Sequence, residues 1–411
     1  MEEYRTYTLE ELSIGKGNYG IAASAVPFNP SLHTYLRITD INDDGSLNKS
    51  GLMSVDEDDA EKYLLEPNDI VFARTGNSTG RSYFYDGSDG ELVYAGFLIK
   101  FSLDSTKVNP RILKYYTHSK LYYDWVQSFS SGSTRGNINA KTYGNMPITL
   151  PPREIQDKIV AILKSLDDKI SVNKKICENL EAQAQALFKH WFVDFAPFKD
   201  GKFVESELGL IPEGWRVGTL SDLGEIVGGA TPSKAESSYY TEKGIPWLTP
   251  KDLSNNLKKF TSRGEIDITE DGYKSCSAKI MPRGSVLFSS RAPIGYLTIA
   301  KNNICTNQGF KSVVPNYAGT AYIYYLLKLN TKRIENMSSG TTFKEASGAL
   351  MKSLAVLLPP KSALDAFESK VLDIFNEQEV LETESTRLSS LRDTLLPKLM
   401  SGEIKVNEIA L

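Results

Sequence analysis

Two stretches of this chain place apolar residues at alternating three- and four-residue steps. The first runs through Ile155, Ile159, Ile162, Leu166, Ile176, Leu180 and Leu187. The second runs through Phe367, Val371, Ile374, Leu381, Leu388, Leu395 and Leu399. Such spacing keeps one helix face apolar over many turns and predicts the seam of a coiled coil. Polar residues fill the missing stripe positions: Lys169, Asn173 and Gln183 in the first, Gln378, Ser385 and Arg392 in the second. A polar group at a seam weakens a coil but fixes its register and orientation. One such helix also reads as an amphipathic helix lying on its own domain. Two of matching length, in matching places, predict that they pack on each other. Helices of about 40 residues would each reach roughly 60 Å.

Each stripe follows a Leu-Pro-Pro, where proline suits a helix start. Each is preceded by about 145 residues that mix β-rich runs ("DIVFAR", "SVLFSS", "YLTIAK") with Gly, Asn, Ser and Asp turns. Helices are expected near "PRILKYYTHSKLYYDWVQSF" and "TAYIYYLLKLNTKRIENM", where the tyrosines at helical spacing read as core. The two halves match in order. "TLEEL" from Thr8 answers "TLSDL" from Thr219, and "ITDI" ending at Ile41 answers "PKDL" ending at Leu253. "PNDIVFARTGNSTG" from Pro67 answers "PRGSVLFSSRAPIG" from Pro282, and "AGFLIKF" from Ala95 answers "QGFKSVV" from Gln308. "SSGSTRGNINAKTYGNMPITLPP" from Ser130 answers "SSGTTFKEASGALMKSLAVLLPP" from Ser338. Ordered matches at a nearly constant displacement imply duplication, with a period far too long for a solenoid.

Composition changes the picture by exclusion. At 411 residues, 41% hydrophobic and 24% charged, the chain is long enough for two or three globular domains and has no membrane-spanning run. The opening "MEEYRTYTLEEL" lacks the features of a signal peptide, so a cytoplasmic location is expected. Cys177, Cys276 and Cys305, and His33, His118 and His190, are too scattered for a disulfide framework or a metal site. "GKGNYG" from Gly15 fits a dinucleotide loop, but no acidic ribose partner follows in a βαβ unit. It reads instead as a loop facing a ligand. No phosphate-binding G-x-x-x-x-G-K-[ST] loop exists, and neither Pro-Pro sits in an Asn/Asp-Pro-Pro-aromatic motif of the kind that holds a flipped adenine.

"LGLIPEGWRVGTLSDL" from Leu208, the "SSGTT" to "LLPP" segment and the ending "LRDTLLPKLMSGEI" resemble the specificity subunits of type I restriction–modification systems. The resemblance covers essentially the whole chain. It implies an α+β architecture: two globular, mixed target-recognition domains in pseudo-twofold repeat, separated by two long helices forming an antiparallel coiled coil. The domains would be residues 1–151 and 216–359, the helices 152–195 and 360–402, with a linker at 196–215 and a tail at 403–411. It implies a non-catalytic subunit whose domains each read half of a bipartite double-stranded DNA target, while the helices set the gap. The partners implied are two adenine-N6 methyltransferase subunits and two endonuclease/translocase subunits. S-adenosylmethionine, ATP and Mg would be bound by those partners, and no cofactor or metal by this chain. A self-contained DNA methyltransferase is the alternative, and a partner-free dimeric-repressor mimic a third reading.

Charge bears on the DNA expectation. The net charge is −4, but residues 216–359 carry 18 basic and 11 acidic side chains, whereas residues 1–152 carry 14 and 19. The second domain is basic and the first must segregate its charges, with methyltransferase partners supplying much of the phosphate contact. Loop residues with donors suited to base edges or phosphates are the candidate contacts. In the first domain these are Arg37, Thr39, Arg74, Asn77, Ser78, Arg81, Arg135, Asn137, Asn139 and Lys141. In the second they are Lys251, Lys258, Lys259, Arg263, Ser289, Ser290, Arg291, Thr341, Thr342 and Lys344, with Gln308 in "TNQGF" either a structural amide or a contact.

Overall fold

A computed structural model describes residues 4–129, 136–255, 258–340 and 344–406. The chain divides into two compact units, Met1–Ile170 with Arg387–Leu411, and Ser171–Thr386. Both long helices, Arg153–Phe192 and Lys361–Ser401, contribute to both units.

In the first unit a four-stranded sheet runs in the order Asn18–Tyr19, Leu98–Ser102, Asp69–Ala73, Ser82–Tyr85. The strand Asp69–Ala73 is central and buried along its whole length, which is why "DIVFA" is nearly all apolar. A second sheet contains His33–Leu36 paired in parallel with Leu92–Tyr94. The ends of the globular part close on each other, Arg5–Thr8 pairing antiparallel with Pro147–Leu150.

The second unit repeats the plan. Its sheet runs Gly224–Gly228, Lys311–Pro315, Val286–Ser290, Ile294–Ala300, with Phe260–Thr261 added at the edge. Trp247–Leu248 pairs in parallel with Cys305–Thr306, and Arg216–Thr219 closes antiparallel on Ala355–Leu358. The sequence matches are local structures. The Thr8 N–H donates to Glu11 Oε2 at 2.6 Å, and the Thr219 N–H to Asp222 Oδ2 at 2.7 Å. Asp40 and Asp252 likewise accept the N–H three residues before them, from Arg37 at 2.9 Å and Thr249 at 2.7 Å. A Cβ at Gly20 would lie 2.2 Å from the Tyr94 carbonyl oxygen, and one at Gly229 2.0 Å from that of Asn307. Both glycines are required by the same close approach of two backbones.

Both long helices start directly after their Pro-Pro, the carbonyls of Pro152 and Pro360 accepting the first bonds from Ile155 and Ala363. Within the first unit, Ile155, Ile159 and Ile162 are buried with Leu396, Leu399 and Met400, Leu395 packs against the same core, and Leu166 and Leu388 are half-buried. Within the second, Phe367, Val371 and Leu381 are buried, Ile374 and Leu187 pack against the core, and Leu180 is half-buried. The helices run antiparallel: Asn173 Nδ2 donates to Glu384 Oε2 at 2.7 Å, and Gln378 Nε2 to the Cys177 carbonyl at 3.0 Å. The polar seam residues of the second helix, Gln378, Ser385 and Arg392, all have partners on the first.

The first helix departs from the expected stripe. Ile176 is 40% exposed, and Lys169 and Gln183 face out, whereas Asn173, Ala184, Phe188 and Phe192 are buried. A helix of 3.6 residues per turn drifts about 20° per heptad against a 3.5-residue repeat, so a strict heptad projection slides off the buried face. The buried phenylalanines mark where this helix enters the globular core of the second unit. Among the described residues, no helix is long and apolar enough to cross a membrane.

Candidate nucleic-acid interface

The strand Asp69–Ala73 delivers Arg74 to a node of main-chain bonds. The Arg74 N–H donates to the Phe97 carbonyl at 3.1 Å, and its carbonyl accepts from Ile138 N at 2.9 Å. Held this way, its guanidinium lies over the Tyr19 ring, 4.9 Å from the centroid. Its Nε is buried without a hydrogen-bond partner, a cationic donor that a ligand would satisfy. Tyr19, in the "GKGNYG" loop, is anchored by its hydroxyl, which accepts from Ala140 N at 3.2 Å. Thr75 bridges to Asn137. Asn77, Asn137, Asn139 and Lys141 are exposed on the same loops. Asn139 spends its side-chain oxygen capping the helix Ala140–Gly144, accepting from Thr142 N at 2.9 Å.

The second unit builds a cavity of about 740 Å³ at the corresponding loops. Trp247, Tyr240, Pro250 and Ile266 give it apolar walls, and Arg291, Gln308, Lys234 and Lys251 bring cations and an amide to it. The walls are locked, Trp247 Nε1 donating to the Ala230 carbonyl at 3.0 Å and the Tyr240 hydroxyl to that of Pro232 at 2.7 Å. The Thr231 hydroxyl donates to Gln308 Oε1, leaving the Gln308 amide hydrogens for another acceptor. Arg291 stands 3.5 Å from Glu345, and Lys251 3.9 Å from Glu265. Lys344 is exposed next to Glu345.

Several other candidates are buried or already paired. Ser289 and Ser290 are fully buried: the Ser289 hydroxyl donates to the Pro293 carbonyl at 2.8 Å, and that of Ser290 to Gly309 at 3.1 Å. Lys259, 8% exposed, points into the protein and donates to Glu181 at 2.7 Å, so it is not available to DNA. Ser78 is buried as well. Lys258 donates to Thr386 on the second long helix at 2.8 Å. Arg37 is held by Asp40 through Nε at 2.8 Å and Nη2 at 2.7 Å, with Thr39 exposed beside it. Arg81 pairs with Asp43 at 2.6 Å and Arg263 with Asp267 at 2.7 Å. Arg135, Thr341 and Thr342 lie outside the described residues.

Sequence reasoning passed over Tyr19, Thr231 and Lys234. The available signal was an aromatic or a cation inside a glycine-rich turn, "GNYG" and "GGATPSK". The tyrosines at helical spacing are core, Tyr115, Tyr116, Tyr122, Tyr322, Tyr324 and Tyr325 being buried and Tyr123 exposed. Among the described residues, no group of three His, Cys, Asp or Glu side chains is placed to hold a metal.

The chain is 39% identical over 191 residues to the type I restriction enzyme MjaIX specificity subunit of Methanocaldococcus jannaschii, an alignment covering 44% of each protein. It is 26% identical over 408 residues to the HindI specificity subunit of Haemophilus influenzae, covering 84% of this chain and 88% of that one. Its fold is similar to a type I restriction–modification S subunit from M. genitalium, with a TM-score of 0.57 at 14% identity over 97% of this chain and 96% of that one. The model of the type I restriction modification DNA specificity domain matches twice, at residues 1–182 and 212–388. The chain belongs to that family.

Proposed function

We propose that this chain is the non-catalytic specificity subunit of a cytoplasmic type I restriction–modification complex, and that each globular domain reads one half of a bipartite double-stranded DNA target. The observation that carries this reading is the duplicated frame: one sheet and one set of main-chain nodes, built twice, with different donors at the same loops. Arg74, Asn77, Asn137, Asn139 and Lys141, with Tyr19, form the reading surface of the first domain. Arg291, Gln308, Lys251 and Lys344, with Lys234, form that of the second. A bidentate arginine suits guanine and a glutamine suits adenine. The division into recognition domains at 1–151 and 216–359 follows the two copies, and the long helices set the gap and dock two adenine-N6 methyltransferase subunits. Those partners and two endonuclease/translocase subunits bring S-adenosylmethionine, ATP and Mg.

Single-molecule methylation sequencing of a host carrying this protein and its partner subunits tests the reading. The expected result is methylated adenine in one split sequence with a fixed gap. Methyl transfer by the purified chain alone, with S-adenosylmethionine bound to it, would instead establish a self-contained methyltransferase.

A further inference from the structure

Each unit holds a half-buried carboxylate of the first long helix among donors from its globular domain. In the second unit this is Glu181. Its Oε2 accepts from Lys259 Nζ at 2.7 Å and the Tyr325 hydroxyl at 2.9 Å, and its Oε1 from Lys328 Nζ at 2.6 Å. Lys259 reaches on to the second helix, donating to Gln378 Oε1 at 2.8 Å and standing 3.6 Å from the Phe375 ring centroid. Glu382, also on the second helix, accepts the main-chain N–H of Lys259 and of Phe260, both at 3.1 Å. In the first unit the carboxylate is Asp167. Its Oδ2 accepts from Lys114 Nζ at 3.0 Å and the Tyr115 hydroxyl at 3.1 Å, and its Oδ1 from Arg392 on the second helix at 2.9 Å.

These nodes are costly ways to attach a domain. Burial opposes the charge on Asp167 and Glu181, yet the neighbouring cations hold both carboxyls below their ordinary range. Burial also drives Lys259 down to about 8 against the attraction of Glu181. Buried ion pairs seldom improve stability over apolar packing of the same volume. Apolar attachment is already present, Phe188 of the first helix packing with Tyr322 and Tyr325, Phe192 with Tyr322, and Phe367 of the second helix with Phe192. Apolar contact is non-directional and tolerates pivoting. A carboxylate shared by donors from separate elements has one satisfactory geometry, and tilting the domain breaks several charge-assisted bonds together.

We propose that Glu181 and Asp167 are positioning residues, each node fixing the angle of its globular domain on the helix pair and thereby confining the complex to one gap between half-sites. The inference rests on the recognition function proposed above. One added base pair displaces a half-site by about 3.4 Å and turns it by about 35°, so a domain that pivoted would accept neighbouring gaps, whereas a pinned one rejects them.

The test uses the chain reconstituted with its methyltransferase subunits. Methylation rates are measured on duplexes carrying the mapped gap and the same half-sites one base pair closer or farther apart. The wild-type complex should prefer the mapped gap. The double variant Glu181→Leu, Lys259→Met should keep both half-site sequences and nearly the same rate at the mapped gap. Its discrimination against the altered gaps should fall by on the order of tenfold. Tyr325→Phe, which removes one hydroxyl from the node and leaves no cavity, should lower discrimination in the same direction if the double variant does not fold. Undiminished discrimination in either folded variant overturns the inference while leaving the recognition reading intact. A changed half-site also overturns it, since the node would then be shaping the reading loops. A wild-type complex that methylates no split sequence removes the recognition reading and this inference together.

Discussion

The same backbone node carries a half-buried arginine in one unit and a buried serine in the other. The Arg74 N–H donates to Phe97, and the Arg74 carbonyl accepts from Ile138; Ser290 makes the matching bonds to Gly309, at 2.7 Å, and from Ala346, at 2.9 Å. Ile21 N donates to Tyr94 and Ala230 N to Thr306, both at 3.0 Å, so Gly96 and Gln308 also occupy matching places, one residue off the register of the sequence match, which set Ala95 against Gln308. Around one frame, the first unit sets an arginine against Tyr19, and the second buries a serine and presents Gln308 beside Arg291. Duplication has preserved the hydrogen-bonded skeleton and exchanged the donors it displays. That is the arrangement expected if the two copies read different sequences with a common mechanism.

The largest effect should come from exchanging one copy. Replacing residues 1–150 with the first domain of another family member should replace one methylated half-site completely and leave the other unchanged. Methylation mapping that returned two altered halves would end the comparison between independent readers.

Single readers come next. Arg74→Ala should slow methylation of the original target by about 10- to 100-fold, in keeping with about 1–3 kcal/mol for a good base contact, and relax the preference in the first half-site only. Gln308→Ala should do the same for the second half-site. Rates measured on duplexes with single base changes would expose crossed effects, which the separate-reader account forbids.

A smaller effect concerns the second unit's stability. Lys259 titrates near 8 when folded, because burial penalises its charge, and faces Glu181, Glu382, Lys328, Cys177, Tyr324 and Tyr325. Above that pH the unfolded chain, whose lysine keeps its ordinary pKa of 10.5, holds the extra proton. Stability should therefore rise with pH across this window relative to Lys259→Met, by about 1 kcal/mol between pH 8 and pH 9. Denaturant unfolding at both pH values, comparing the two proteins, gives the sign directly. The smallest effect sharpens the comparison most. Ser290→Ala, at the place matching Arg74, should cost no more than about 1 kcal/mol and alter neither half-site, because its hydroxyl serves only the Gly309 carbonyl.

What the sequence determined by itself was whatever depends on local spacing. The two Pro-Pro helix starts and the Thr–acid turns at Thr8 and Thr219 are dictated by neighbours a few positions away, and the polar seam residues Gln378, Ser385 and Arg392 by the helical period. The duplication was legible for the same reason. Only the tertiary structure decided which donors reach solvent. Ser289, Ser290 and Lys259 look like their half-exposed neighbours Arg291 and Lys258 in sequence, yet the fold buries them. Ile176 satisfied a heptad on paper, but the real helical period carried it off the seam. Tyr19 and Arg74 are separated by more than fifty residues and meet through sheet pairing with Leu98–Ser102, the strand between theirs. Spacing along the chain fixes periodic faces and caps, whereas exposure and convergence follow from long-range packing that no local pattern encodes.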